Sequence, residues 1–325
     1  MSDKNVKVAL VQQPPVFLNL PKTLAKAEII AEECAKNGAK IIVFPETWLA
    51  GYPIWLDEAP KAALWDYAPA KRLYQYLTEN SLQIPSAESA LLQKIAKQNA
   101  VYIVIGVHEQ SGGTLYNTTI YLAPDGDYKI HRKLTPTYTE RLVWGVGDGS
   151  TLNVLETPYG ILGGLICWEH WLPLARAAMH AKGEIIHTAQ FPTVHERHQI
   201  ASRHYAFEGQ CFVLTSGCVM SKSDVLEGFE SLKTNDKEVF DLLDSMEKDL
   251  LQSGGSAIIA PDASYVVEPV FDESRILYGE LELDLVKQGR LLLDTDGHYS
   301  RPDVFELRVN EKPQRNVTFT SENIY

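Results

Sequence analysis

With 325 residues, 45% of them hydrophobic and 22% charged, the chain has the composition of a soluble globular protein able to bury an extensive core. Its 30 basic and 42 acidic side chains leave a net charge of −12, which argues against nucleic acid or an anionic membrane as the main partner. No apolar run approaches the length of a bilayer span, and four scattered cysteines (34, 167, 211, 218) without a C-x-x-C pair argue against a disulfide framework or a zinc ribbon.

The start of the chain carries no secretory h-region, so the cytoplasm is the expected compartment, and the glycosylation patterns at Asn117 and Asn316 are read as chance. Residues 6–12 read as a short apolar strand. Residues 21–37 come next with helical apolar spacing at Leu24, Ala27, Ile30, Ala31 and Cys34, and Gly38 suits the end of that helix. Residues 41–44 form a fully apolar strand that ends at Pro45 and Glu46. A carboxylate at the end of a buried strand is a common address for chemistry in α/β sheets, and equally a common strand-end charge.

Residues 47–67 read as a long aromatic loop with a short helix, its rings either walling a pocket or filling the loop's own core. A helix at 86–99 and a strand at 101–107 come next. Strands at 117–122 and 128–133, with Pro124-Asp125-Gly126 between them, predict a hairpin ending at Lys133. Residues 135–144 are a polar-aromatic loop holding Glu140. The glycine-rich turn at 145–149 lacks the spacing of a phosphate loop, which excludes a nucleotide reading.

The stretch GILGGLICWEH at 160–170 is the centre around which the second half of the chain is arranged. Its glycines permit close approach of another backbone or a ligand, and Cys167 falls where a strand turns into a predicted helix. Helix N–H groups there would favour a thiolate and bind an oxyanion beside it, although a small core cysteine fits the local pattern as well. A helix at 172–181, a strand at 184–189, a helix at 195–210 and a strand at 211–216 complete this part. His195, His198 and His204 lie on that last helix without the H-E-x-x-H pattern, and read as structural or solvated rather than as metal ligands.

Residues 222–252 are highly charged and helix-prone, and read as an insertion suited to a surface helix or a subunit contact. Strands at 255–260, 265–270 and 278–283, a helix at 285–293 and a turn-rich segment at 297–303 precede a short tail from 306 to 325. With no Pro/Ser-rich linker, residues 1–305 are expected to form one domain. Strands joined partly by helices and partly by hairpins predict mixed sheets, and their number predicts two sheets stacked with helices outside.

Glu46, Lys133 and Cys167 thus share one kind of position, each coming after an apolar strand and preceding a turn. A free thiol is only a few per cent ionised at pH 7 and needs a base or a nearby cation. Glu46 is the candidate base, Lys133 the candidate electrostatic stabiliser, and Glu140 the group that holds Lys133 or positions a water.

FPETW with Glu46, HRKLTPTYTER with Lys133 and Glu140, and GLICWEH with Cys167 resemble the three signature segments of the nitrilase family of carbon–nitrogen hydrolases, in the same order. AGYP at 50–53, HTAQFP at 187–192 and GHYSRPD at 297–303 agree, so the resemblance runs over about residues 6–305. It implies an α+β fold, a four-layer αββα sandwich of two mixed β-sheets flanked by helices, and a homodimer or larger homo-oligomer, with the spirals of some relatives in doubt because the tail is short. It implies hydrolysis of an organic nitrile by water, through a covalent Cys167 intermediate, with no cofactor and no metal. The Trp-Glu-His after the cysteine and the TPTYTER segment look more like true nitrilases than like amidases, carbamoylases or cyanide dihydratases, which are the alternatives within the superfamily. A catalytically silent assembly protein is the alternative outside it. Trp48, Tyr52, Tyr138, Trp168, Pro192 and Thr193 are the expected substrate contacts, and His298 is expected to be structural.

Overall fold

A computed structural model describes residues 5–315 and 317; Asn316 and the end of the expected tail, from 318 on, lie outside the described residues. In chain order the first half contains β1 (Asn5–Val11), α1 (Leu20–Lys36), β2 (Ile41–Val43), α2 (Trp55–Glu58), α3 (Ala68–Glu79), α4 (Ala87–Asn99), β3 (Tyr102–Ser111), β4 (Thr114–Leu122) and β5 (Tyr128–Arg132). The second half contains β6 (Leu155–Thr157), β7 (Gly160–Ile166), α5 (Pro173–Ala181), β8 (Ile186–Gln190), α6 (Glu196–Gly209), β9 (Phe212–Ser216) and β10 (Val219–Ser221). It ends with α7 (Lys222–Glu230), α8 (Lys237–Asp244), β11 (Leu250–Ile259), β12 (Tyr265–Phe271), β13 (Ile276–Glu282) and α9 (Asp284–Gly289).

Among the described residues one sheet has the order β13-β1-β2-β3-β4-β5 and the other β10-β11-β9-β8-β7-β6, with β12 on β11. Each has a parallel centre, β1-β2-β3 in one and β7-β8-β9 in the other, flanked by antiparallel strands. Side-chain alternation along the strands then builds the layers. Val6, Val8 and Leu10 of β1 meet Leu162, Ile186 and Phe212 between the sheets. Their neighbours Ala9 and Val11 face Leu24, Ile30 and Ile95 of α1 and α4 on the outside. The far sheet repeats this, with Leu165, Ala189 and Val213 packed on Ala175, Met179 and Tyr205 of α5 and α6. The result is two mixed sheets face to face with helices on both outer faces.

Local chemistry sets the boundaries. The Asn19 side chain accepts the Lys22 N–H at 3.2 Å to start α1, and Ser86 caps α4 in a reciprocal pair with Ser89. The helix expected directly after Cys167 is instead a 3-10 turn, Cys167–Trp171, and α5 begins at Pro173, whose missing N–H suits the first turn. Helix α3 carries no expectation from its aromatic-rich composition, yet Pro69, Leu73 and Leu77 recur at four-residue spacing and are buried.

The charged segment at 222–252 differs most from its expected form. It holds two helices and the start of β11, and buries Val225, Phe229, Val239, Leu242 and Leu243 against Trp55, Leu73 and Leu77. Burial of each such side chain is worth roughly 1.5–3 kcal/mol, so its charges mark the outer half of an amphipathic cover. That cover lies beside the loop leaving β2.

Candidate active site

Three strand ends bring the chemistry together. Glu46 leaves β2, Lys133 leaves β5 of the same sheet, and Cys167 leaves β7 of the other sheet. The Glu46 turn rests on Gly106 of β3, where a Cβ would lie 2.3 Å from the Thr47 nitrogen and 2.4 Å from the Pro45 oxygen, so only glycine fits. Gln190 of β8 reaches across the sheets and donates to the Phe44 carbonyl at 2.5 Å, just before Glu46, while Thr119 donates to its side-chain oxygen. Cys167 adopts φ +53°, a left-handed conformation that costs energy in a residue bearing a Cβ and turns its side chain out of the strand.

The Lys133 ammonium donates to Glu46 Oε1 at 2.8 Å and to the Glu140 oxygens at 2.7 and 3.0 Å. Asn117 donates to Glu46 Oε1 at 2.7 Å, and Tyr52 to Glu140 Oε1 at 2.9 Å. A carboxylate oxygen of Glu46, one of Glu140 and the Cys167 sulfur all lie within 4.8 Å of one another. Such a donor set has the spacing of a cation site, and the Lys133 ammonium bonds both its carboxylates. Glu46 Oε2 alone among these carboxylate oxygens has no partner among the described residues.

Burial raises the Glu46 carboxyl to about 7; Lys133 pulls the other way and Glu140 adds to the rise. Burial also pushes the Cys167 thiol well above its ordinary range, and the Glu46 charge adds to this more than Lys133 offsets it. The resting sulfur is therefore a thiol, not the thiolate expected from the helix N–H groups alone. Burial works against the Lys133 charge, but the carboxylates around it overcome this and hold it above the usual range. A protonated thiol beside a carboxylate poised near neutrality is an arrangement for base-assisted nucleophilic attack.

Two supports were not visible in the sequence. Glu169 accepts the Ile166 N–H at 2.7 Å and the Leu134 N–H at 2.6 Å, tying the end of β7 to the residue after Lys133. His131 donates to Glu169 at 2.9 Å and to the Thr151 carbonyl at 3.1 Å; burial opposes its charge, yet Glu169 holds its pKa above the ordinary value. Behind the cysteine, His170 donates from Nδ1 to the Cys167 carbonyl at 2.7 Å and its Nε2 meets His187 Nε2 at 2.9 Å. His187 Nδ1 donates to Glu184 at 2.9 Å. Burial lowers His170 well below its ordinary value, so with its Nδ1 proton on the Cys167 carbonyl the ring is neutral and Nε2 faces His187.

A cavity of about 480 Å³ opens over Cys167 and Glu140. Tyr52, Tyr138, Trp168, Pro192 and Thr193 line it. Trp48 does not: its indole donates to the Gln13 carbonyl at 2.7 Å and its ring packs on Phe44, which makes it a prop beneath the Glu46 turn. Asp57, Glu58, Lys248, Leu250, Leu251 and Gln252 also line the cavity, a contribution that charge-rich sequence concealed. His195 and His198 are at its wall, whereas His204 is exposed and 3.9 Å from Glu208; His298 sits 3.6 Å from Asp294 on the surface. Among the described residues these histidines form no ligand cluster.

The carbon–nitrogen hydrolase profile matches residues 7–291. The chain is 36% identical over 319 residues to nitrilase 1 of Arabidopsis thaliana, covering 98% of this chain and 90% of that one. It is also 36% identical to the aliphatic nitrilase of Sinorhizobium fredii (strain HH103), covering 96% and 97%. Among solved structures it is similar in fold to Saccharomyces cerevisiae Nit3, a member of branch 10 of the nitrilase superfamily, with a TM-score of 0.63, 19% identity, and coverage of 91% and 96%.

Proposed function

Because this chain belongs to the carbon–nitrogen hydrolase family, we propose that it is a nitrilase, converting an organic nitrile and two waters to a carboxylic acid and ammonia. The observation that carries the reading is the meeting of Cys167, Glu46 and Glu140 within 4.8 Å around the Lys133 ammonium at the floor of a cavity.

Glu46 Oε2, the oxygen with no partner, takes the thiol proton as the sulfur adds to the nitrile carbon. The nitrogen, once protonated, leaves a neutral thioimidate. The Lys133 charge and the Trp168 N–H, in the first turn after the strand, stabilise negative charge on nitrogen and later on oxygen. A water deprotonated by Glu46 adds to the same carbon, ammonia departs carrying the returned proton, and a thioester remains. A second water frees the acid and restores the thiol. Glu140, bonded to Lys133 through both oxygens and to Tyr52, keeps the ammonium in place. The mechanism uses no cofactor.

We read residues 1–305 as one catalytic unit, with 222–252 as its charged cover. A homodimer or larger assembly is proposed on the apolar side chains left exposed on α5 and α6, among them Leu174, Ile200 and Phe207. Four free cysteines support the cytoplasm as its compartment, and no helix among the described residues is long and apolar enough to cross a membrane.

Ammonia release from a panel of nitriles, their amides and cyanide, with intact-protein mass detection, tests the reaction. Nitriles turned over with a covalent adduct on Cys167 are expected. Amide or cyanide turnover well above nitrile turnover would reject it in favour of an amidase or a cyanide dihydratase.

A further inference from the structure

Cys167 and Trp168 share one peptide unit, and its orientation decides whether the Trp168 N–H can serve the reaction. The 3-10 turn Cys167–Trp171 has Ile166 as its cap, so its first internal donor is the N–H of Glu169. The turn therefore leaves the Trp168 N–H unused. A trans peptide is planar, with its carbonyl and its N–H pointing in opposite directions. The Cys167 carbonyl accepts the Nδ1 proton of His170 at 2.7 Å. That ring is 1% exposed and packs on Phe191, Tyr205 and His187, with centroids 5.2, 5.7 and 5.1 Å away. The carbonyl is thus turned into the protein interior, while Cys167 and Trp168 both line the cavity.

From this geometry we infer that His170 is a positioning residue for the reaction. By holding the Cys167 carbonyl inward it aims the Trp168 N–H at the cavity, where negative charge develops on the substrate nitrogen and later on oxygen. The inference rests on the nitrile-hydrolysing reading and adds to it a residue that touches no substrate. Cys167 has φ +53°, and such a strained backbone persists only where its surroundings over-determine it. His170 supplies that constraint, and its ring is fixed in turn. Its Nε2 meets His187 Nε2 at 2.9 Å, and His187 Nδ1 reaches Glu184 at 2.9 Å. A donor on the carbonyl also polarises the peptide, which strengthens the N–H at its other end.

The test uses two variants. His170→Asn keeps an amide donor for the Cys167 carbonyl but gives up the contact with His187, and His170→Leu fills the space without a donor. Each is measured for kcat and KM on a nitrile, for inhibition by the aldehyde of the same carbon skeleton, and for alkylation of Cys167 by iodoacetamide. The thiol adds across the aldehyde carbonyl, its proton passing to the oxygen, so the hemithioacetal sets a tetrahedral oxygen against the Trp168 N–H. Alkylation expels iodide and needs no such donor, so it reads the sulfur alone.

His170→Leu is expected to lower kcat about 10- to 100-fold with KM little changed, a large part of what one preorganised donor supplies. Aldehyde affinity should fall by a similar factor, because the adduct resembles the transition state. The alkylation rate should stay within about threefold, since it depends on the thiol. His170→Asn should recover most of both losses. A His170→Leu variant with kcat and aldehyde affinity within about threefold of wild type would overturn the inference. So would losses that His170→Asn does not recover, or alkylation falling in step with them, either of which makes His170 a support of the core or of the sulfur. A wild-type protein that turns over no nitrile would overturn the reaction reading, and the aldehyde affinities then decide on His170 by themselves. Should His170→Leu fail to fold, His170→Met, flexible and without a donor, takes its place.

Discussion

Two buried charged clusters sit on either side of Cys167, and they are built differently. In front, Glu46, Glu140 and Lys133 lie beneath a cavity that Glu140 and Cys167 line, and one carboxylate oxygen, Glu46 Oε2, is left without a partner among the described residues. Behind, Glu184, His187 and His170 run to the Cys167 carbonyl with every side-chain polar atom bonded, Tyr205 also donating to Glu184. Gly163 on β7 makes room for this second cluster, since a Cβ there would lie 2.2 Å from Glu184 Oε2. Burial and density of charge are common to both. The front cluster has a carboxylate oxygen to spare and a cavity where a substrate can meet it, and that distinguishes chemistry from scaffolding.

Removing the reacting atoms should break the comparison most sharply. Cys167→Ala is expected to lower nitrile turnover by at least about 10⁴-fold, by analogy with the loss of other nucleophiles, with the thermal midpoint little changed. Glu184→Leu is expected to do the reverse. It leaves His187 Nδ1 and the Tyr205 hydroxyl buried without their acceptor, at a cost of about 1–3 kcal/mol each, seen as a lower denaturation midpoint, while the protein that remains folded keeps kcat within about tenfold. A Glu184 variant that stays folded yet is as inactive as Cys167→Ala would place the rear cluster inside the chemistry.

A smaller effect sharpens the contrast through pH. Glu46 acts as base only when ionised, and its carboxyl lies near 7, raised by burial. As pH falls through 7 it binds a proton, so kcat/KM should drop about tenfold per unit below that value. A profile flat between pH 5 and 7 would remove Glu46 from the role. Smallest of all is the expected response to a chelator. The position between the two front carboxylates is bonded to the Lys133 ammonium, so EDTA should leave ammonia release unchanged, and a loss restored by added metal would overturn that assignment.

Much of the fold was legible because burial writes a period into sequence. Val6, Val8 and Leu10 alternate and α1 repeats every three to four residues, so those elements fall within a residue of their expected bounds. The pattern failed where charge hid an apolar stripe, as at 222–252, or where aromatic and proline content masked a helix, as in α3. Trp48 shows the same limit among the expected contacts. An aromatic beside a catalytic motif looks like a pocket wall, and only packing reveals that its indole is spent on the Gln13 carbonyl.

Glu46, Lys133, Glu140 and Cys167 could be proposed from sequence by itself, because activating a thiol calls for a base and a cation, strand ends offer positions for them, and the resemblance to the family's signature segments put the candidates in one order. Tertiary structure decided everything that depends on distances between remote segments. It placed Asn117 on Glu46, tied β7 to the Lys133 loop through Glu169, and put Gln252 and His198 on the wall of the cavity that Cys167 lines. Nothing in a linear chain records whether a polar atom finds its partner. That is settled only when segments from both sheets close around it, since hydrogen bonding and burial depend on separations of a few ångströms between groups far apart along the chain.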